Sequence, residues 1–145
     1  MKCKTEVALI VWVLVFAIQS MGQGPASHAT ESWRKMTVCE LISNSGKFNG
    51  VLVVVHAKVF DGMGHGILLT DDRCNKGLKM LSSQPIQEHE DYKQFEDIFY
   101  SARQTTRDHE ITADFYGKFV YRPGEPRLKW ALDVERISDT KITYP

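Results

Sequence analysis

The residues best suited to chemistry in this 145-residue chain surround a glycine-rich segment, residues 61–66. His65 lies in that segment with Asp61 four positions before it, and a histidine beside a carboxylate can relay a proton or bind a metal ion. A metal site needs three or four converging ligands, and no recognised ligand spacing surrounds this pair. Asp61 and His65 are candidate metal ligands on their chemistry alone. The alternative is a solvated turn in which the glycines adopt positive φ.

Other catalytic patterns are missing from the sequence. No serine, histidine and aspartate set stands in a recognisable context, no phosphate-binding loop is present, and no carboxylate pair is distinguished from the solvated ones. The absence of a motif disfavours an enzyme, although a fold can also bring together catalytic groups that form no motif in the sequence. The sequence predicts a non-enzymatic binding or structural module without a cofactor. The alternative is a metal-binding protein or metal-dependent hydrolase that uses His65 and nearby aspartates.

The amino-terminal residues have the order of a secretory signal: two lysines, an apolar run over residues 7–18, and a polar segment with small residues. We predict a signal peptide over residues 1–22, with cleavage after Gly22 or, alternatively, after Ser20. The apolar run is shorter than the ~20 residues that a spanning helix needs, which makes a retained membrane anchor the weaker alternative. The protein is therefore expected to be exported, to the periplasm or the extracellular space.

Two cysteines, Cys39 and Cys74, remain after removal of the signal. Thiols oxidise outside the cytoplasm, so we predict that this pair forms a disulfide. Unpaired buried thiols are one alternative, and a redox-active pair is another, although its usual Cys-x-x-Cys spacing is absent. Closing a loop of this length stabilises a fold by roughly 3 to 4 kcal/mol.

Acidic and basic residues balance, with 18 of each. Nucleic-acid binding takes most of its affinity from an excess of Lys and Arg, so the neutral composition disfavours nucleic acid as a partner. The same balance argues against electrostatic capture by an acidic membrane surface. The expected partner is an envelope protein, a glycan or a peptide, and no permanent membrane span is expected.

Residues 23–35 are rich in small and polar side chains and predict a flexible tether, and residues 36–145 predict a single domain. A capping box of Thr37 and Glu40 marks the start of its first helix. Hydrophobic periodicity predicts, in chain order, a helix over 38–43, strands over 51–60, 67–71 and (weakly) 77–81, a helix over 91–103, and strands over 111–121 and 128–134. Five strands, with a helix between the third and fourth, are the order of an OB-like β-barrel.

Aromatic side chains on the last two strands are candidates for ligand contacts, because barrels of this type present aromatic residues to bases, sugars or peptides. Alternation places Phe119, Tyr121 and Trp130 in the core and leaves Tyr116 on the outer side. Tyr116 and His65 are therefore the candidate ligand-binding residues.

The sequence also resembles a group of short secreted bacterial proteins of unknown function with an OB-like domain. The resemblance covers most of the predicted domain and rests on residues 37–42, Phe48-Asn49-Gly50, Asp71-Asp72, Cys74 and residues 115–119. A departure is His56-Ala57-Lys58, where the strand in that group tends to carry arginine and glycine. Because the group has no assigned activity, the resemblance implies a fold and a location rather than a reaction.

Overall fold

The computed structural model describes residues 32–62, 64 and 66–145. The predicted signal peptide, most of the predicted tether and His65 lie outside them. The elements, in chain order, are β1 (Arg34–Met36), α1 (Val38–Ser43), α2 (Ser45–Phe48), β2 (Leu52–Asp61), β3 (Ile67–Asp71), β4 (Cys74–Ser82), α3 (Gln84–Gln87), α4 (Glu90–Arg103), β5 (Glu110–Tyr121), a 3₁₀ turn (Pro126–Leu128) and β6 (Trp130–Thr143). Within the described residues, no helix combines the length and apolar character needed to cross a membrane.

Five of the strands close a barrel-like ring. β2, β3, β4, β6 and β5 pair in that order, and β5 returns to pair with β2. The pairs are antiparallel except for the parallel pair of β4 and β6. Because α3 and α4 lie between β4 and β5, the predicted mainly β fold with a helix between the third and fourth ring strands is confirmed.

A sixth strand, β1, was not predicted; it lies outside the ring, so the sheet has one strand more than the five predicted. Its three residues pair in parallel with residues 53–55 of β2. A strand this short shows no alternation that a sequence pattern could reveal. β1 includes Arg34 and Lys35, which the sequence assigned to the tether.

β4 and β6 are both longer than the sequence predicted. β6 continues well past residue 134, to Thr143. The sequence did not predict this part because the register with β5 shifts at Tyr116/Gly117 and again at Thr112/Asp114, and each shift breaks the simple alternation of side chains. Near the second shift, Asp139 has a positive φ of 53°. At the first shift, a β-carbon on Gly117 would overlap the backbone carbonyl of Asp133, so only glycine allows the two strands to approach this closely.

The interior of the ring is a packed hydrophobic core. Its fully buried members include Val53, Val55, Leu69, Leu78, Phe115, Phe119, Leu132 and Val134. α4 packs at one end of the ring, where Phe95 meets Phe115 edge-on with their ring centres 5.7 Å apart. α1 packs on β3 and β4, and α2 on β5, at the opposite end.

The predicted features of α1 are confirmed. Cys39 and Cys74 form a disulfide with their Cα atoms 5.8 Å apart, which ties α1 to the first residue of β4. The backbone N–H of Glu40 donates to Thr37 Oγ1 at 3.1 Å, and the N–H of Thr37 donates to Glu40 Oε2 at 2.9 Å. The helix is thus held at its start by reciprocal hydrogen bonds and in its first turn by a covalent bond.

Candidate functional site

Polar and aromatic side chains share one outer side of the ring, where β2 and β5 pair. The register sets His56 opposite Asp114, Val54 opposite Tyr116, and Lys58 opposite Thr112. Side chains opposite one another on paired strands point to the same side of the sheet. These six residues define what we call the β2–β5 face.

A histidine–aspartate pair lies at the centre of the β2–β5 face. His56 Nδ1 is 2.7 Å from Asp114 Oδ1, and the two side chains are 54% and 30% exposed. When Nδ1 carries the proton it donates to the carboxylate, which leaves Nε2 as a hydrogen-bond acceptor. Among the hydrogen bonds of the described part of the chain, none joins a side-chain hydroxyl to this histidine.

Lys58 occupies one end of the face and joins three segments of the chain. Its ammonium group lies 2.6 Å from Asp72 Oδ2, in the β3–β4 turn, and 2.5 Å from Glu110 Oε2, at the start of β5. The hydrogen bonds to Asp72 and then to Glu110 raise the pKa of Lys58 above its usual value. The lysine therefore stays protonated and serves as a charged cross-link rather than a base.

A groove of about 390 Å³ runs beside Lys58, between β1, the start of α1 and the end of β3. Arg73 donates from Nε and Nη2 to the two carboxylate oxygens of Asp71 at 2.9 and 2.7 Å. These side-chain hydrogen bonds hold the pKa of Asp71 below its usual value. Five charged side chains of the groove, Lys58, Asp71, Asp72, Arg73 and Glu110, are thus engaged with one another, an arrangement that suits the binding of a polar ligand more than proton transfer.

Tyr116 lies at the other end of the face and is half-buried, as alternation predicted for an outer side chain. The guanidinium carbon of Arg136 is 3.8 Å from the centre of its ring. Trp33 contacts the ring edge-on, with the two ring centres 5.5 Å apart. Cation–π and edge-to-face contacts of this kind fix the orientation of the ring. Arg136 covers one face of the ring, so Tyr116 offers a ligand the remaining surface of a pre-oriented, half-buried side chain beside hydrogen-bonding groups.

Of the two predicted metal ligands, Asp61 is described and is not part of this face. It ends β2, and its Oδ2 forms an ion pair with Arg103 Nε at 2.9 Å. An arginine on a carboxylate competes with a metal ion for the same oxygen atoms. No group of three or more ligating side chains able to hold a metal occurs among residues 32–62, 64 and 66–145. Because His65 is outside them, its role as a ligand stays a prediction.

The main contacts of the site were missed from the sequence. Alternation placed His56 and Lys58 on outward positions of their strand, but it could not identify partners 58 residues away, as Asp114 is from His56. No sequence pattern indicated a role for Trp33 or Arg136. Trp33 precedes β1, which was not predicted, and Arg136 follows the register shift in β6.

Comparisons with protein-family models, with curated proteins and with solved structures found no match. The resemblance to secreted bacterial proteins therefore stays a prediction, and the functional argument rests on the geometry of the β2–β5 face.

Proposed function

We propose that the protein is an exported, non-enzymatic binding module with an OB-type barrel, and that the β2–β5 face receives its ligand. Support for the barrel type comes from the strand order β2-β3-β4-β6-β5-β2 and from the helical connection between the third and fourth ring strands. A five-stranded, partly open barrel of this kind binds oligosaccharides and oligonucleotides in other proteins.

Support for export comes from the disulfide together with the sequence of residues 1–22. Structural disulfides persist in oxidising compartments and are rare where thiols are kept reduced. The bond between Cys39 and Cys74 joins α1, a helix of only six residues, to the first residue of β4, so it is placed to contribute to stability. The signal-like pattern of the first residues points to the same compartments.

The observation that carries the binding proposal is the geometry around Tyr116. Its ring is held by Arg136 and Trp33, and His56 with Asp114 follows on the same face. An oriented aromatic ring costs little conformational entropy when a ligand packs on it, and adjacent polar groups give direction to the contact. This combination fits a sugar ring or a short peptide. The same face lacks a nucleophile paired with a base, which favours binding over catalysis.

Binding to an array of envelope glycans and peptides tests the proposal. The Tyr116→Ala variant should bind its ligand roughly tenfold more weakly or worse, as removal of a central tyrosine commonly does. Tyr144→Ala is the matched control, because Tyr144 is 52% exposed and lies outside the face. Unchanged binding by Tyr116→Ala would contradict the proposed site. Turnover of a small substrate that His56→Ala abolishes would contradict a non-enzymatic role.

A further inference from the structure

A pair of lysines lies on one indole ring at the end of the barrel that α1 and α2 close. Lys76, from β4, places its ammonium group 5.3 Å from the ring centre of Trp130, and Lys129, from the β5–β6 connection, places its own at 4.8 Å. Trp130 is packed against the core, so the ring is a fixed support. Two ammonium groups on one ring concentrate positive charge at this end of the chain's fold and favour a bound anion.

A second pair of cations lies on a phenylalanine ring. Phe48 is 6% exposed, and the guanidinium carbon of Arg34 and the ammonium of Lys47 lie 5.0 and 5.5 Å from its ring centre. Arg34 comes from β1 and Lys47 from α2, so separate segments converge on this ring. The arrangement repeats that on the indole ring.

The residues that carry the two rings are linked by three successive contacts. Asn49 follows Phe48 in the chain, and its side-chain oxygen accepts a hydrogen bond of 2.8 Å from the backbone N–H of Tyr121. Tyr121 in turn pairs with Trp130 across β5 and β6. Directly paired residues of antiparallel strands have Cα atoms about 5 Å apart. We call the four residues Arg34, Lys47, Lys76 and Lys129 the cationic end.

No carboxylate in the described part of the chain forms an ion pair with the cationic end. Nearby acidic groups are already engaged: Glu40 in the capping box of α1, and Glu125 with Arg122 at 3.3 Å. In the described part of the chain, acidic side chains without an ion pair include Glu88, Glu90, Glu96 and Asp97 on and before α4, at the opposite end of the ring, and also Asp133 and Glu135 on β6. A neutral net charge therefore does not mean that the charges are evenly distributed.

We propose that the cationic end is a second binding surface, separate from the β2–β5 face, and that it binds an anionic polysaccharide; the inference rests on the proposed export of the protein. Each cation pair can hold one carboxylate, phosphate or sulfate group, and two neighbouring pairs fit a chain with repeated anionic groups. Single-stranded nucleic acid would also need exposed aromatic faces for its bases. Phe48 is buried and Trp130 is covered by cations, so this end offers charge without a stacking surface.

Fluorescence anisotropy with labelled polygalacturonate, a carboxylated glycan, tests this at several salt concentrations. The double variant Lys76→Gln/Lys129→Gln should bind roughly tenfold more weakly or worse. The slope of log affinity against log salt should also become shallower by about one to two, because fewer counterions are released on binding when two charge contacts are lost. Lys93→Gln/Arg107→Gln is the matched control, because it removes the same charge without touching the cationic end. Its affinity should stay within about twofold of the unmodified protein.

Equal weakening by both double variants would overturn the proposal, because binding would then follow net charge alone. Tighter binding of oligothymidylate, or of vesicles that contain phosphatidylglycerol, would overturn the choice of a glycan. Melting curves establish that each variant is folded. If a neutral ligand needs Tyr116 but polygalacturonate does not bind, this inference fails while the proposed function stands. If polygalacturonate binds through Lys76 and Lys129 but no ligand needs Tyr116, the reverse holds.

Discussion

The two ends of the ring are closed by different means. α4, with 14 residues, closes one end by aromatic packing: Phe95 is fully buried and lies 6.0 Å from Phe99, ring centre to ring centre. Its N-cap residue, His89, forms no capping hydrogen bond through its side chain. α1 and α2, with six and four residues, close the other end and carry the capping box and the disulfide.

The difference follows from helix length. Isolated helices shorter than about 12 to 15 residues are marginal in water, so α1 cannot persist through propensity and a few apolar contacts. Local hydrogen bonds and a covalent link to β4 add the stability that its short apolar face does not provide. α4 is long enough to bury four side chains, Tyr92, Phe95, Phe99 and Ala102. Stability should therefore depend on packing at one end, and on redox state and capping at the other.

The largest effect should come from the packed end. Replacing Phe95 with alanine removes a fully buried ring that contacts both Phe115 and Phe99, and should lower the free energy of unfolding by about 3 to 5 kcal/mol. Tyr100→Ala is the control on the same helix, because Tyr100 is 51% exposed and should cost less than about 1 kcal/mol. Denaturant titration measures both. Similar losses for the two variants would show that α4 is not held by its buried face.

Removal of the disulfide should have the next largest effect. The double variant Cys39→Ser/Cys74→Ser should be less stable by roughly 2 to 5 kcal/mol, as is typical when a small secreted domain loses a native bridge. Hydrogen exchange sharpens the comparison: reduction by dithiothreitol should speed exchange in α1 well before it does so in α4. An unfolding midpoint that dithiothreitol leaves unmoved, or free thiols in the exported protein, would contradict the structural role of the bridge.

How far the sequence predicted the fold depended on the length and regularity of each pattern. α4, β2 and β5 were found because their side chains repeat with a clear period, and α1 because its capping box is a local motif. β1 and α2 are too short to show a period, and the end of β6 was lost because a register shift resets the alternation. Secondary structure was therefore predictable wherever a periodic side-chain pattern or a local capping motif specifies it.

The candidate site was less predictable for a related reason. The disulfide could be predicted because two cysteines follow the predicted signal and only one pairing between them is possible. The partners of Lys58, by contrast, come from a turn and a strand start that only the folded register brings together. A net charge of zero likewise does not reveal where the charges lie. Pairings between distant residues need the tertiary fold.

A smaller effect should appear when the two helix starts are made alike. Thr37→Ala removes the side-chain hydrogen bond to the N–H of Glu40 and should destabilise the protein by about 1 kcal/mol. His89→Ser supplies α4 with the capping side chain that it lacks and should stabilise the protein by up to about 1 kcal/mol. Thermal melting of both variants measures the shifts. Destabilisation by both substitutions would mean that His89 has a role other than that of an N-cap.

The smallest effect should be a pH dependence confined to the α1 end. The backbone and side-chain hydrogen bonds with Thr37 hold the pKa of Glu40 below its usual value of 4.5. A carboxyl whose pKa is lower in the folded state stabilises the fold above its unfolded pKa, and this contribution is lost as the pH falls through the folded pKa.

The melting temperature of the unmodified protein should therefore exceed that of Glu40→Gln at pH 7, and the difference should shrink once the pH falls below 4.5. Asp71, whose pKa is also lowered, is present in both proteins, so its titration cancels from the difference. Glu90→Gln is the control in the first turn of α4, where the N-cap side chain forms no capping hydrogen bond. Its melting temperature at neutral pH should differ less from that of the unmodified protein than the melting temperature of Glu40→Gln does. A difference for Glu40→Gln that stays constant from neutral to acidic pH would mean that the neutral capping box is as strong as the charged one. The two helix starts would then differ in hydrogen bonding alone.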